Sequence, residues 1–345
     1  MEYKLTEYSH GAGCGCKLSP GALEEVLREA TGFGAFPNLL VGPETKDDAA
    51  VIDLDGTTAI VSTTDFFMPI VDDPKDFGAI AATNAISDIY AMGAEPLMAI
   101  AILGWPIDKL PASVANLVLK GGREVCANAG IPLAGGHSID APEPIFGLAV
   151  TGKAHVSQIK RNRDGKAGDL LYLTKPLGVG VATTAQKKKL VDPADLQIAR
   201  DSMLTLNRIG QELGKLDFVH ALTDVTGFGL GGHLLEVCDA SSLSARIYMD
   251  SIPVFPFVDK YIALNCIPGG TNRNWKTYGK RIKLENEAWH RIIADPQTSG
   301  GLLVAVDPGG QNSFEAFMAV NGMRLRPVGE LTASKGEPVV EVVNG

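Results

Sequence analysis

The sequence predicts a layered α/β protein of two domains. Its 345 residues are a little more than twice the ~150 residues of a typical domain. Short apolar segments that suit strands alternate with longer segments that suit helices, a pattern typical of helices packed against a sheet. The polar run 156–168 interrupts this pattern. We therefore predict an arm and connection at 1–40, a first domain at 41–156 and a second domain at 157–345.

After Pro20 the sequence predicts a short helix, followed by a connection rich in glycine and proline. The first domain then opens with two strands, over 49–54 and 58–63. We expect a hairpin between these strands, because Asp55-Gly56 suits a tight turn.

A long helix is predicted over 74–92, with signals at both of its ends. Asp73 can cap its first turn, proline suits its first position, and Gly93 can end it. The segment 97–103 is wholly apolar, which predicts a buried strand. The domain is completed by a helix over 111–129 and by strands at 131–134 and 145–152.

The second domain continues the alternation of strands and helices, and no short repeat is visible in it. Its predicted strands are 170–174, 219–222, 302–306 and one near 328–331. Its predicted helices are 193–213, 229–238 and 313–319.

Charge and cysteine content exclude several classes of protein. The 31 Lys and Arg against 40 Asp and Glu give a net charge of −9, so no basic field attracts nucleic acid or an anionic membrane. No apolar run reaches the ~18 residues of a membrane span, and Met1 to Pro20 lacks a signal peptide's apolar centre, so we expect a cytoplasmic protein. Five scattered cysteines argue against a disulfide framework. Three of them are predicted to be ordinary buried thiols: Cys126, Cys238 and Cys266.

The stretch 10–17, His-Gly-Ala-Gly-Cys-Gly-Cys-Lys, combines two thiols, an imidazole and an ammonium. Its three glycines make ordering costly and predict a mobile arm. Lys17 is a cation placed to favour the thiolate of Cys14 or Cys16, so a reactive sulfur is the first hypothesis. A metal site, a disulfide and a plain surface loop are the alternatives. A closed structural zinc site requires four ligands, and the sequence has no second cysteine or histidine pair that would complete such a site.

Acidic residues stand at the ends of several predicted elements, as Asp47, Asp48, Asp65 and Asp224 do. Asp88 lies within the first long helix, on one stripe with Ala81 and Asn84, which predicts that this helix face lines a cleft. Taken singly, such carboxylates are ordinarily solvated or capping groups. If they converge, they suit Mg²⁺, which takes oxygen ligands and bridges carboxylates to phosphates.

A glycine-rich loop, Gly135-Gly136-His137-Ser138, is predicted after a strand, where backbone N–H groups can face an anion. The chain has neither the P-loop pattern nor the dinucleotide-binding glycine pattern after its first strand. The other glycine pairs of the chain suit tight turns equally well.

Seven segments together resemble the selenophosphate synthetases, the selenide, water dikinase family. They are HGAGCGCK at 10–17, TKDDAAV at 45–51, STTDFFMPIVDDP at 62–74, ATNAISDIYAMG at 82–93, GGHSIDAPEPIFGLAVTG at 135–152, TDVTGFG at 223–229 and DPQTSGGLL at 295–303. This family is grouped with aminoimidazole ribonucleotide synthetase and thiamine monophosphate kinase. The resemblance implies two α/β domains and a homodimer in which strands of the N-terminal domains form a barrel. It also implies that ATP lies between the domains and across the dimer.

The resemblance implies roles for individual residues. Cys14 matches the selenium-handling position, and Lys17 matches a lysine needed for catalysis that also contacts the nucleotide. The metal-binding acids correspond to Asp48, Asp88 and Asp224. The other nucleotide contacts correspond to Thr45, Lys46, Asp47, Asp65, Asp88, Gly136, His137 and Ser138. The implied cofactor is Mg²⁺, with a monovalent cation and a selenium-donor protein as further expectations.

The reaction implied by the resemblance converts ATP, selenide and water into selenophosphate, AMP and orthophosphate, which supplies selenium for selenocysteine and modified tRNA. Two other hypotheses stay open. A sibling ATP enzyme acting on an organic substrate would share the aspartates but would not need the two thiols of the arm. A non-enzymatic selenium or metal carrier would need the thiols but not the placed aspartates.

Overall fold

The protein is described here by a computed structural model that covers residues 3–18, 20–27, 36–334, 336–337 and 339–345. It contains two sheets, one in each predicted domain. The first has six strands, in the order β1-β2-β3-β6-β4-β5. These strands are β1 Leu39–Val41, β2 Ala50–Asp53, β3 Thr58–Phe67, β4 Glu95–Trp105, β5 Leu133–Asp140 and β6 Ile145–His155. All neighbours in this sheet are antiparallel except β4 and β5, which are parallel.

The second sheet has seven strands, in the order β10-β13-β9-β12-β7-β11-β8, and is also mixed. They are β7 Leu170–Leu173, β8 Val219–Asp224, β9 Leu243–Tyr248, β10 Ile282–Leu284, β11 Leu302–Val306, β12 Gly329–Ala333 and β13 Val340–Val343. The predicted two-domain α/β architecture is confirmed, although β9, β10 and β13 were not predicted.

Eleven helices accompany the sheets in the described residues. They are α1 Pro20–Leu27, α2 Pro74–Ala91, α3 Ala112–Asn128, α4 Val179–Lys187, α5 Pro193–Leu204, α6 Ile209–Gly214, α7 Gly229–Ser241, α8 Val258–Ala263, α9 Gly269–Tyr278, α10 His290–Ile293 and α11 Gln311–Val320. None of these helices has the length and apolar character needed to cross a membrane.

Helix α2 lies at the centre of the molecule, between the first sheet and the second domain. It contacts β3, β6 and α3 on one side and β8, α5 and α6 on the other. Asp73 caps it by accepting a hydrogen bond from the Asp76 N–H, as predicted. Gly78 allows α3 to approach closely, since a Cβ there would stand 1.9 Å from the carbonyl oxygen of Val118. The polar residues of α2 are therefore held rigidly at the boundary between the domains.

The helix predicted over 193–213 is interrupted, and the structure has α5 and α6 in its place. Between them, the Asn207 side chain donates hydrogen bonds to Ser87 Oγ and to the Gly300 carbonyl, both at 2.8 Å. A straight helix would not bring Asn207 to these partners, so tertiary bonding overrides the local pattern.

The prediction that segment 97–103 is buried is wrong for one face of β4. Met98 and Ile100 are 46% and 45% exposed, because the helices of this domain cover only the other face of the sheet. The strand registers place Ile52, Phe66 and Ile139 on the same uncovered face. Within one chain the described strands form an open sheet, not a closed barrel.

Candidate active site

Three carboxylates converge at the boundary between the domains. Asp48 precedes β2, Asp88 lies in α2 and Asp224 ends β8. One oxygen from each lies within 4.8 Å of the others. Asp88, on the polar stripe of α2, therefore meets acids from two other elements, and we call these three residues the acid triad.

The acid triad has the electrostatics of a cation site. Thr63 Oγ1 donates to Asp88 at 2.5 Å and Thr223 Oγ1 donates to Asp48 at 3.0 Å. One buried oxygen of Asp48 and one of Asp224 have no hydrogen-bond partner in the described structure. Burial raises the pKa of all three acids, and mutual repulsion raises those of Asp48 and Asp88 further. A divalent cation with oxygen preference fits these residues, because it would satisfy the unpaired oxygens and neutralise the charge.

The arm is docked beside the acid triad in this structure. The Gly13 N–H donates to the Met68 carbonyl at 3.0 Å, and the Cys14 N–H donates to Thr298 Oγ1 at 3.0 Å. Gly13 has a φ of +49°, and a Cβ there would stand 2.3 Å from Thr298 Oγ1, so glycine is required. Leu5 and Cys14 are fully buried. The mobility of the arm stays a prediction about other states.

Lys17 and Cys14 bond to different partners beside the acid triad. Lys17 Nζ forms an ion pair with Asp65 at 3.0 Å. Cys14 Sγ donates to Asn84 Oδ1 at 3.2 Å. The Lys17 ammonium is therefore held next to a carboxylate, and the Cys14 thiol is held against α2.

The charge of Lys17 favours the Cys14 thiolate, as predicted, but larger effects oppose it in this conformation. Burial, followed by the charge of Asp65, raises the pKa of Cys14 well above its ordinary value, and the opposing effect of Lys17 is smaller. Burial also raises the pKa of Cys16.

All five cysteines are free thiols, so no disulfide forms. Cys126 and the other two predicted structural thiols are buried. His10 bonds with Glu143.

Asn84 connects β3, the arm and the segment around Ser299, although the sequence predicted only that it lies on the polar stripe of α2. Its Nδ2 donates to Asp65 at 2.8 Å, and its Oδ1 accepts from the Ser299 N–H at 2.7 Å as well as from Cys14. Thr298 and Ser299 were not predicted as site residues. The signal for both was their position in the segment DPQTSGGLL.

The segment Thr45–Asp47 lies next to the acid triad in the chain and is tied to the connection between the domains. Asp47 accepts a hydrogen bond from the Asn162 N–H at 2.7 Å, and the Asn162 side chain donates to the Lys46 carbonyl at 3.1 Å. Lys46 adopts a left-handed conformation, with a φ of +52°. The segment thus forms a firm turn that leads into Asp48.

Gly136, His137 and Ser138 are not brought to the acid triad within one chain. They lie in β5, not in the predicted loop, because β5 pairs with β4 along 133–140. A Cβ on Gly136 would stand 2.2 Å from the Ala101 carbonyl oxygen, so glycine permits this pairing. The strand next to the acid triad is β3, whose Thr63 bonds to Asp88. β5 is the third strand from β3, a separation of about 14 Å across the sheet.

A groove of about 420 Å³ adjoins the Lys17–Asp65 ion pair. We call it the Phe66 groove; its lining includes residues 64–68, Ile145, Phe228 and residues 16–18 of the arm. Aromatic and aliphatic walls beside a charged pair suit a ligand with an apolar ring and an anionic end.

Comparisons with known proteins agree with this architecture. The family models described as AIR synthase related protein, N-terminal domain and C-terminal domain match residues 46–154 and 166–341. A solved thiamine-monophosphate kinase from Stenotrophomonas maltophilia is similar in fold, with a TM-score of 0.65 and 20% identity over 94% of this chain and 96% of that one.

Curated relatives are much more similar in sequence. A selenide, water dikinase from Aeromonas hydrophila is 57% identical over 340 residues, covering 99% of both chains. Another, from Pseudomonas putida, is 58% identical over 340 residues, covering 99% of this chain and 98% of the relative. Together with the acid triad and the arm, these similarities show that the chain belongs to the selenide, water dikinase family, within the AIR synthase related fold.

Proposed function

We propose that the acid triad, Lys17 and Cys14 together carry out the ATP-dependent synthesis of selenophosphate, the activity of this family. The observation that carries the proposal is the convergence of Asp48, Asp88 and Asp224 within 4.8 Å, beside a docked arm. Triphosphate chemistry needs concentrated positive charge. Selenium chemistry needs a polarisable group, such as a thiol, close to the same place.

Mg²⁺ bound by the acid triad would neutralise charge on the transferring phosphoryl group and orient the triphosphate. Lys17 adds a second, compact positive charge. Its ion pair with Asp65 raises the pKa of Lys17 despite the opposing effect of burial, so the side chain stays protonated. Phosphoryl transfer depends mainly on such positioning and charge stabilisation.

We place the nucleotide between the Phe66 groove and the acid triad, so that its phosphates meet Lys17. The turn at Thr45–Asp47 and the carboxylate of Asp65 border this path. Asn84 supports the arrangement because it holds Asp65, Cys14 and Ser299 at one point. Selenide then attacks the γ-phosphorus, and the remaining ADP is hydrolysed at its β-phosphorus.

The arm supports both steps by controlling water. In its docked position Cys14 is fully buried, which keeps water from the first transfer. The second step consumes water, so the arm has to open partly between the two steps. The glycines of residues 10–17 suit this motion because they allow several backbone conformations.

We further propose a homodimer in which the uncovered face of the first sheet packs against a second copy, so that strands of the two chains form a barrel. Ile52, Phe66, Met98, Ile100 and Ile139 give this face its exposed apolar area. Pairing of this kind would also allow Gly136–Ser138 of one chain to contact the nucleotide bound by the other chain.

The dimer is tested by light scattering at micromolar concentration. We expect a dimeric mass for the natural chain and a monomeric mass for Ile100→Asp, since a buried carboxylate would oppose association. A monomeric natural chain would contradict the proposal. The monovalent cation, the selenium-donor protein and the cytoplasmic location stay predictions from the resemblance.

The activity itself is tested by product analysis with ATP, magnesium and selenide under anaerobic, reducing conditions. We expect equimolar selenophosphate, AMP and orthophosphate by ³¹P NMR, with a control reaction lacking selenide. ADP as the final product with an organic acceptor would favour a sibling kinase. Stoichiometric selenium binding without AMP would favour a carrier.

A further inference from the structure

A cavity of about 580 Å³ lies on the outer side of the arm. We call it the outer cavity. It is bounded by the arm, by α4 and by the start of α9. Four basic side chains and no acidic side chain line it within the described part of the chain. These four are His10, Lys17, Lys187 and Arg273. A one-sided lining of this kind is unusual in a chain with a net charge of −9.

Two of the four basic side chains have no carboxylate partner among the described residues. His10 pairs with Glu143 and Lys17 pairs with Asp65. Lys187 Nζ instead donates to the Gly11 carbonyl at 3.0 Å, and Arg273 donates to the Gly15 carbonyl at 2.7 Å. These bonds orient both cations toward the arm and leave their charges uncancelled. Asp72 and Glu143 act on Lys187 electrostatically, but neither lines the cavity.

The outer cavity meets the Phe66 groove at the arm. Cys16, Lys17 and Leu18 line both spaces. A small ligand in the outer cavity therefore lies one side chain away from the Lys17–Asp65 pair. The Cys16 Sγ at this junction donates to the Gly13 carbonyl at 2.9 Å, which places a thiol on the route between the two spaces.

We propose that the outer cavity binds the selenium substrate as the hydroselenide anion, which then reaches the phosphates past Cys16 and Lys17. Selenide is mainly this monoanion in water near neutral pH. The other route is unfavourable for an anion, because the proposed nucleotide fills it and its triphosphate carries negative charge. Lys187 and Arg273 attract it into a space that the nucleotide does not fill. This inference rests on the proposed function, since it assigns a route to that reaction's second substrate.

The test compares the Michaelis constants for selenide and for ATP in the double variant Lys187→Gln with Arg273→Gln. We expect the KM for selenide to rise about tenfold, with the KM for ATP changed by less than about twofold. Lys187→Arg combined with Arg273→Gln keeps the charge at position 187. Its KM for selenide should therefore be lower than that of the double glutamine variant. Lys188→Gln is the matched control, because Lys188 directly follows Lys187 in the chain and bonds to Asn265 at 2.7 Å, away from the cavity.

A second measurement separates attraction of the anion from support of the arm. The natural enzyme should lose kcat/KM for selenide as ionic strength rises, and the double variant should lose much less. Equal increases in both KM values, or an unchanged KM for selenide, would overturn the inference. A natural chain that forms no AMP with selenide would instead overturn the proposed function.

Discussion

The two sides of the arm differ in charge. On the inner side three carboxylates, two buried and one half-buried, lie within 4.8 Å of one another, and loss of solvent raises the pKa of each. On the outer side Lys187 and Arg273 have no carboxylate partner among the described residues. This difference supports the two proposals made above, in which cations bind on the inner side and an anion binds on the outer side.

The largest effect is expected on the inner side. Asp88→Asn should lower ATP turnover about a thousandfold or more, because a neutral amide is a poor ligand for Mg²⁺. The fold should stay intact, since the amide oxygen of the new side chain could still accept the hydrogen bond from Thr63. The measurement is AMP formation, together with the melting temperature.

The control for this variant lies on the same helix. Asp76→Asn removes a carboxylate that pairs with Arg200 near the start of α2, far from the acid triad in the helix. It should keep most of the activity. Near-normal AMP formation by Asp88→Asn would show that the acid triad is not the cation site.

A second set of variants separates the roles of Lys17 and Cys14, the two functional groups of the arm. Lys17→Met should suppress ATP cleavage with or without selenide, and Lys17→Arg should rescue it poorly, because the planar guanidinium has a different shape. Cys14→Ser should abolish selenophosphate formation while binding of an ATP analogue survives. Serine can still donate to Asn84, so the arm should dock normally.

These variants are checked by analogue affinity and by selenide-dependent AMP formation in the same preparations. Cys16→Ser is the matched thiol control and should be milder. If Cys14→Ser keeps full selenophosphate synthesis, the thiol does not handle selenium, and the arm's contribution reduces to Lys17 and closure.

A smaller effect concerns pH. The acid triad has pKa values raised above those of the unfolded chain, so the folded metal-free protein binds more protons. Its stability should therefore fall as pH rises from about 4 through the raised values. Mg²⁺ needs the ionised acids, so its stabilisation should grow over the same range, reaching about 2.7 kcal/mol at a hundredfold excess over Kd. Melting curves with and without Mg²⁺ at several pH values measure this, and a pH-independent shift would contradict it.

Much of the fold and of the inner site could be predicted from the sequence. The caps of α2 are local, and the stripe of Asn84 and Asp88 follows from helical periodicity. The convergence of Asp48 and Asp224 with Asp88 was a hypothesis until the domains were seen packed together, since no local pattern fixes a contact between residues so distant in the chain.

Other features depended on surroundings that a sequence does not reveal. The apolar run of β4 was predicted to be buried, yet an apolar run is equally compatible with a core strand and with a strand that has one uncovered face. Lys17 was expected to ionise Cys14, but burial and Asp65 reverse the outcome. The outer cavity escaped prediction because Lys187 and Arg273 are far apart in the chain and match no motif.

The order of the two phosphoryl transfers is tested most directly by following the oxygen of water through one anaerobic reaction run in H₂¹⁸O. If selenide attacks the γ-phosphorus and water then attacks the β-phosphorus of the remaining ADP, ³¹P NMR and mass spectrometry should find one ¹⁸O atom in orthophosphate. Selenophosphate and AMP should contain none. Label in AMP, or label in selenophosphate without exchange in a control incubation, would contradict this assignment of the two steps.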